Sequence, residues 1–414
     1  MSCFVVIFVF LFSWTVFGQE LSPRVGYVYP AGGKRGTVFE LTAGGQFLRG
    51  VTNVYVSGGG VRATVLEHIE PISQRQAQLL RDRLKELQQK RAEALKKGGG
   101  WSAEEQKMVE DIRKKLANFI PPRDLNPSLA DIVRVRLEVS DDAEPGERQI
   151  RFQTAIGLSN PNVFYVGEFD EFSRKHRRIF RQGREERDPV VSPSDGEIRI
   201  SLPSVLNGQI MPGGVDRYRF LGKKGQKVVV MVLARQLIPY IPDAVPGWFQ
   251  AVATIYNSRG EEVVRVDDFM FNPDPVLYFE IPADGDYVFE IRDAIYRGRE
   301  DFVYRVVIGE IPFITGIFPA GATAGKNVDV ELKGWNLPTN RVRFDFGGML
   351  PGIYQYRLDK SVLIGGKVPA TSGVRGEFQG GECAAVLVHL SEFPDVAESE
   401  SNNSTNFAQS VMLP

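Results

Sequence analysis

Two short stretches decide the fold: Val28-Tyr29-Pro30-Ala31-Gly32 near the start of the chain and Ile317-Phe318-Pro319-Ala320-Gly321 near its end. They lie 289 residues apart. Held fixed, that offset pairs Gly36 with Gly325, Phe39 with Val328, Leu41 with Val330, Ala43 with Leu332, Gly45 with Gly334 and Leu48 with Leu337. The apolar members alternate in both copies. Successive side chains of a strand point to opposite faces, so the pattern is that of a half-buried strand. Gly45 and Gly334 are read as the turn that ends it. One β-domain therefore occurs twice, over residues 20–168 and 312–395.

Between the copies, residues 196–311 read as a third sheet-built module. Asp216-Arg217-Tyr218-Arg219-Phe220 alternates polar and aromatic, and Lys223-Lys224-Gly225 is a turn. Val228-Val229-Val230-Met231-Val232-Leu233 is apolar on both faces, which places it between two covered layers. Asn257-Ser258-Arg259-Gly260 is a hairpin turn. Asp284-Gly285 is another turn; Tyr287, Phe289 and Ile291 follow on one face, and Phe302, Tyr304, Val306 and Ile308 close the module. Short strands with regular turns predict a β-sandwich. The fold class expected is mainly β: tandem sandwiches strung like beads, with one helical insertion.

Family resemblances refine this. Tyr29-Pro30-Ala31-Gly32-Gly33 with Gly36, Leu41 and Gly45-Gln46-Phe47-Leu48 resembles the opening of an IPT/TIG domain, an immunoglobulin-like sandwich of cell-surface proteins. Glu144-Pro145-Gly146-Glu147-Arg148 and Gly157-Leu158-Ser159-Asn160-Pro161 would be its close. The central run resembles the bacterial pre-peptidase C-terminal domain, a jelly-roll-like sandwich appended to secreted peptidases and other exported proteins. Its motifs here are D-x-Y-x-F at Asp216, A-T-I-Y-N-S-R-G-E-E at Ala253, P-A-D-G-D-Y-V-F-E-I at Pro282 and V-Y-R-V-V-I-G at Val303. That resemblance implies a non-catalytic accessory role; in some relatives the domain binds matrix protein or polysaccharide, or holds calcium. Oxygen ligands for calcium would come from Asp267, Asp268, Asp274 or Asp284 in loops, although Asp in a turn ordinarily serves turn chemistry. Trp248, Phe249 and Tyr296 form either a sugar-stacking face or part of the core.

Residues 73–126 interrupt the first copy. Leu80, Leu84, Leu87 and Leu95 recur at helical spacing, as do Met108, Ile112, Leu116 and Ile120. Ser102 with Glu105 is a capping box, and Pro121-Pro122 stops the second helix. The pattern predicts an antiparallel hairpin of two helices, each about 20–25 residues and spanning ~30 Å. It is either a protruding arm for self-association or partner contact, or a pair packed on its own sandwich. Residues 169–195 form a basic linker; Arg174 to Arg187 holds seven basic residues in fourteen. It reads as a solvated connection or a polyanion-binding strip.

The ends carry separate signals. Phe4 to Phe17 is an apolar run too short for a membrane span, and residues 1–19 resemble a secretory signal peptide, cleaved or kept as an anchor. No later stretch is long and apolar enough to span a bilayer. Residues 396–414 are an acidic and polar tail resembling the lead-in to another central-type module; Leu413-Pro414 corresponds to Leu202-Pro203. The expectation is a truncated further module.

Composition limits the function. Of 414 residues, 43% are apolar and 24% charged, which suits a globular chain with a core and excludes a wholly disordered one. A net charge of −1 gives no field that calls for nucleic acid. His68, His176 and His389 are far apart, no zinc-type cysteine pattern occurs, and Cys383 reads as a small buried side chain at a strand start. No GxSxG, Walker A or dinucleotide glycine pattern is present. The best case for a catalytic carboxylate pair is Asp267-Asp268 with Asp216, but adjacent residues of a strand face opposite sides, so Asp267 and Asp268 act together only where a bulge intervenes. The expected function is an exported, non-catalytic binding or adhesion protein, periplasmic, cell-surface or extracellular. Its partner would be polysaccharide, matrix or a surface protein. The alternative is the accessory region of a secreted peptidase or other hydrolase.

Overall fold

The structure is a computed structural model. It describes residues 22–96, 100–119, 121, 126–175, 196–238, 248–358, 367–368, 373–375, 385–394, 396 and scattered positions after 403. The expected signal segment, His176, Cys383, Ile120, Pro122 and most of the basic stretch and the tail lie outside the described residues.

The first sandwich is built from β1 (Arg24–Tyr29), β2 (Gly32–Lys34), β3 (Val38–Gln46), β4 (Asn53–Val56), β5 (Val61–Ile69), β6 (Asp131–Val139), β7 (Gly146–Thr154), β8 (Gly157–Leu158) and β9 (Asn162–Gly167). One sheet runs β1-β3-β6-β5 and the other β2-β9-β7-β4, with β8 beside β7. Leu41, Ala43, Val133, Val135, Ile150, Phe152 and Phe164 fill the space between them.

In the central sandwich the strands are β10 (Asp170–Ser173), β11 (Ile198–Arg199), β12 (Ser204–Gln209), β13 (Val215–Gly222), β14 (Lys227–Leu233), β15 (Ala251–Tyr256), β16 (Glu262–Val266), β17 (Val276–Glu280), β18 (Gly285–Asp293) and β19 (Val303–Gly309). Its inner sheet is β10-β12-β19-β14-β17 and its outer sheet β11-β13-β18-β15-β16. β10 corrects the sequence reading. Residues 170–173, expected to be linker, pair parallel with β12, and Phe172 packs against the central core.

The third sandwich uses β20 (Phe313–Phe318), β21 (Gly321–Thr323), β22 (Val328–Trp335), β23 (Arg341–Phe344), β24 (Gly352–Arg357), β25 (Lys367–Val368), β26 (Gly373–Arg375) and β27 (Ala385–Ser391). Its sheets are β20-β22-β23-β25 and β21-β27-β24-β26. The 289-residue repeat holds down to the backbone. A bulge sits between Val25 and Tyr27 and again between Ile314 and Gly316. Phe47 and Asn336 both have positive φ, 59° and 53°. Gly45 and Gly334 lie inside β3 and β22 rather than in a turn. A Cβ there would stand 2.1 Å from the Arg24 carbonyl oxygen and 2.0 Å from that of Phe313, so glycine admits the bulged neighbour strand. The copies diverge afterwards: β4 crosses to pair with β7, whereas β23 stays beside β22.

The sandwiches are not separate beads. β14 is buried on both faces, as its continuous apolar run predicts. Val228, Val230 and Val232 face the central core. On the other face, Leu233 joins the first sandwich's core together with Leu237, Ile238 and Val303. Val229 and Met231 join a cluster that includes Phe313 and Trp335 of the third sandwich. Trp335 stacks on Tyr278 at 5.2 Å and on Phe313 at 5.5 Å.

The insertion is the expected hairpin, with α1 (Gln74–Lys96) and α2 (Ala103–Ala117). α2 is shorter than expected. Ser102 and Glu105 form the capping box, and Ser73 with Gln76 makes the same reciprocal pair ahead of α1. The buried seam is Leu87, Val109 and Ile112, with Leu80, Leu84, Trp101 and Leu116 packed beside it. Leu95 and Met108, expected in the stripe, are exposed. The hairpin buries its apolar face on itself. Lys114 reaches back to Glu67 of β5 at 3.1 Å.

Candidate functional site

Strand pairing brings four connections to one end of the central sandwich, described over residues 210–214, 234–238 with 248–250, 267–275 and 294–302. Gln209 stands opposite Val303, Met231 opposite Val276, Ala251 opposite Asp293 and Ala253 opposite Val266. Each connection crosses from one sheet to the other.

Buried carboxylates fix these loops. Asp293, fully buried, accepts the backbone N–H groups of Gln250 (3.2 Å), Ile295 (3.2 Å) and Arg297 (2.9 Å). Asp274 accepts those of Ala234 (3.1 Å), Arg235 (2.7 Å) and Gln236 (2.9 Å). Burial raises the Asp274 pKa above the ordinary carboxylate value, against the pull of those three donors. Asp301 holds Arg299 through two bonds of 2.5 and 2.8 Å, and burial raises its pKa as well.

On this frame the loops present large apolar side chains to solvent. Trp248 is 45% exposed, Tyr296 52%, and Ile295, Met270 and Phe271 are exposed too. Tyr296, Met270 and Phe271 have φ of 58°, 49° and 65°, a region that side-chain-bearing residues rarely occupy. Phe269 and Asn272 close the second of these turns by exchanging two N–H···O bonds of 2.9 Å. The Arg292 guanidinium lies over the Tyr296 ring at 4.6 Å, and Arg297 donates to the Trp248 carbonyl at 3.5 Å. Such rings stack on the C–H faces of a sugar or on apolar side chains.

Two of the three aromatic candidates from the sequence thus meet at this end. Phe249 does not belong with them: it is buried and stacks on Phe302 at 5.5 Å inside the core. Phe271, Met270 and Ile295 were missed. The signal was available, since Phe269-Met270-Phe271 stands in a loop between Asp268 and Asn272-Pro273, where exposed apolar residues are costly.

The calcium candidates are not gathered. Asp267 and Asp268 are exposed at the start of the 267–275 loop, and Asp274 spends its oxygens on backbone donors. Asp284 lies at the opposite end of the sandwich, accepting from the Lys224 N–H at 2.6 Å. Among the described residues no three His, Cys, Asp or Glu side chains converge on a metal position.

Away from this end, an open cleft of about 1280 Å³ lies between the first sandwich, β10 and the base of the hairpin. Its charged walls are cross-linked: Lys34 to Asp170 at 2.6 Å, and Arg134 to Glu40 and Glu67. Arg174 at its edge turns inward to Asp216 (3.2 Å) and lies over Tyr218, whose hydroxyl meets that of Tyr304 at 2.7 Å. Burial drives the pKa of both tyrosines well upward. His68 and His389 sit in different sandwiches.

No protein-family model matches the chain, and no curated protein matches it. Solved structures resemble parts of it. The pre-peptidase C-terminal domain of a Bacillus anthracis collagenase is 13% identical over 27% of this chain and 94% of that one, at a TM-score of 0.21. PliG, a periplasmic inhibitor of g-type lysozyme from Aeromonas hydrophila, is 13% identical over 28% and 98%, at 0.18. SGBP-B of a Bacteroides ovatus mixed-linkage glucan utilization locus, solved with a heptasaccharide, is 8% identical over 67% and 70%, at 0.16. No helix among the described residues is long and apolar enough to cross a membrane.

Proposed function

We propose that this chain is an exported, non-catalytic binding protein that takes polysaccharide on the crossover end of its central sandwich. One observation carries the reading: Trp248, Tyr296 and Phe271 stand in solvent on loops whose backbone Asp293 and Asp274 hold fixed. Large rings exposed on a preorganised backbone lose little entropy when a ligand covers them. Arg292, already over Tyr296, supplies donors for ring hydroxyls beside the stacking surface. The IPT/TIG-type and pre-peptidase-type motifs of the sequence, and the signal-like residues 1–19, fit a secreted accessory module. The cleft beside the hairpin is the less favoured site, because its walls spend their charge on each other.

The test is an array of glycans and matrix proteins probed with the full chain, with and without calcium. The reading expects retention on one glycan class, unaffected by chelation and without turnover of the bound sugar. Binding confined to protein spots would move the ligand class, and cleavage of the glycan would overturn the non-catalytic reading.

A further inference from the structure

The repeat supplies its own template for a surface that the third sandwich leaves open. β2 runs parallel to β9, with Gly32 opposite Tyr165 and Lys34 opposite Gly167. β21 runs parallel to β27 in the same way, with Gly321 opposite His389 and Thr323 opposite Ser391. The two registers make Phe318, Ala320 and His389 the counterparts of Tyr29, Ala31 and Tyr165. Continued past the last strand, the match sets Glu168-Phe169-Asp170-Glu171-Phe172 against Glu392-Phe393-Pro394-Asp395-Val396.

In the first copy this surface is the seat of the central sandwich. Tyr29 is 3% exposed and donates its hydroxyl to the carbonyls of Arg174 (2.5 Å) and Asn207 (3.2 Å). Tyr165 is fully buried beneath Arg305, whose guanidinium lies 6.0 Å from the ring. The segment after β9 leaves as β10, the edge strand of the next sandwich, and Phe169 and Phe172 pack into that neighbour's clusters. In the second copy Phe318 is 57% exposed, Ala320 and His389 are exposed, and Phe393 and Val396 are 57% and 52% exposed. Phe313 and Trp335, which hold the central sandwich, lie at the other end of β20 and β22.

We propose that this end of the third sandwich is a docking seat for a further β-sandwich of the central kind, with the segment that carries Phe393 and Val396 entering the partner's sheet as β10 enters the central one. The occupant is defined by what covers the equivalent seat. It offers an edge open to a parallel strand and, on the face of its inner sheet turned toward the seat, a buried guanidinium, as Arg305 of β19 is here. Phe318 stands where Tyr29 does but lacks the hydroxyl, so the contact needs no facing carbonyl at that point. A row of such apolar side chains is otherwise costly to leave in water.

The test is a full chain extended by a repeat of residues 173–311 after Val396, compared with the unextended chain by hydroxyl-radical footprinting. Labelling of Phe318 and Phe393 should fall at least fivefold, to the level of Tyr29 in the same molecule, and Phe318→Asp should restore labelling at Phe393. Unchanged labelling overturns the proposal when circular dichroism shows the added sheet. An added segment that stays unfolded overturns it equally, because the same segment folds on the equivalent seat earlier in the chain. Protection of Phe393 that survives Phe318→Asp also counts against it.

Discussion

At the residue scale, the glycine of the repeated Pro-Ala-Gly motif is explained by close approach. A Cβ on Gly32 would stand 2.6 Å from the Tyr165 carbonyl oxygen and 2.8 Å from the Arg305 guanidinium carbon. Gly32→Ala should therefore destabilise the chain by ~1–3 kcal/mol, the usual cost of overpacking, as read by urea denaturation. The sequence showed that the glycine recurs. It could not show why, because the crowding atoms come from residues more than a hundred positions away. Asp274 carries a second prediction. Its pKa is raised by burial, so the folded chain binds its proton more tightly than the unfolded chain does. The stability it contributes is fully present below the unfolded value of ~3.9 and is lost as pH rises through the folded pKa. Relative to Asp274→Asn, the wild type should lose ground in denaturant midpoints as pH rises above about 4. A constant difference would contradict the assignment.

At the element scale, the hairpin was legible in outline and wrong in detail. Heptad-like leucines and the Ser102 box located both helices, but Leu95 and Met108 face solvent while Val109 is buried. A 3.6-residue period leaves the seam uncertain by one position until the partner helix is placed. Leu87→Ala should cost ~2–5 kcal/mol, felt in the hairpin alone, whereas Leu95→Lys should be near neutral. Hydrogen exchange over 74–117 checks both. β10 was missed for a different reason. A four-residue edge strand lacks enough period to stand out from the basic run that follows, and only pairing with β12 reveals it.

At the scale of the whole molecule, the apolar run of β14 told more than the domain pattern did. A strand buried on both faces needs neighbours on both, and here two sandwiches provide the second cover. The three units should thus unfold as one main calorimetric transition. Trp335→Ala, which removes two ring stacks worth ~0.5–1.5 kcal/mol each beyond their buried area, should split off a lower transition for the third sandwich. The crossover end proposed for binding was only half legible. Trp248 and Tyr296 stood out as aromatics in loops, but that their loops and the Phe271 loop share one end of the sandwich depends on the crossovers between sheets, and Phe249 looked alike in sequence while lying in the core. Calcium should leave the Tm unchanged at millimolar concentration, since the candidate aspartates occupy both ends of the sandwich.

Calorimetric titration of the best array glycan into the full chain and into Trp248→Ala/Tyr296→Ala decides the location of the site most directly. The account predicts that the double variant keeps the wild-type Tm and binds at least tenfold more weakly. Wild-type affinity in a folded double variant would contradict it.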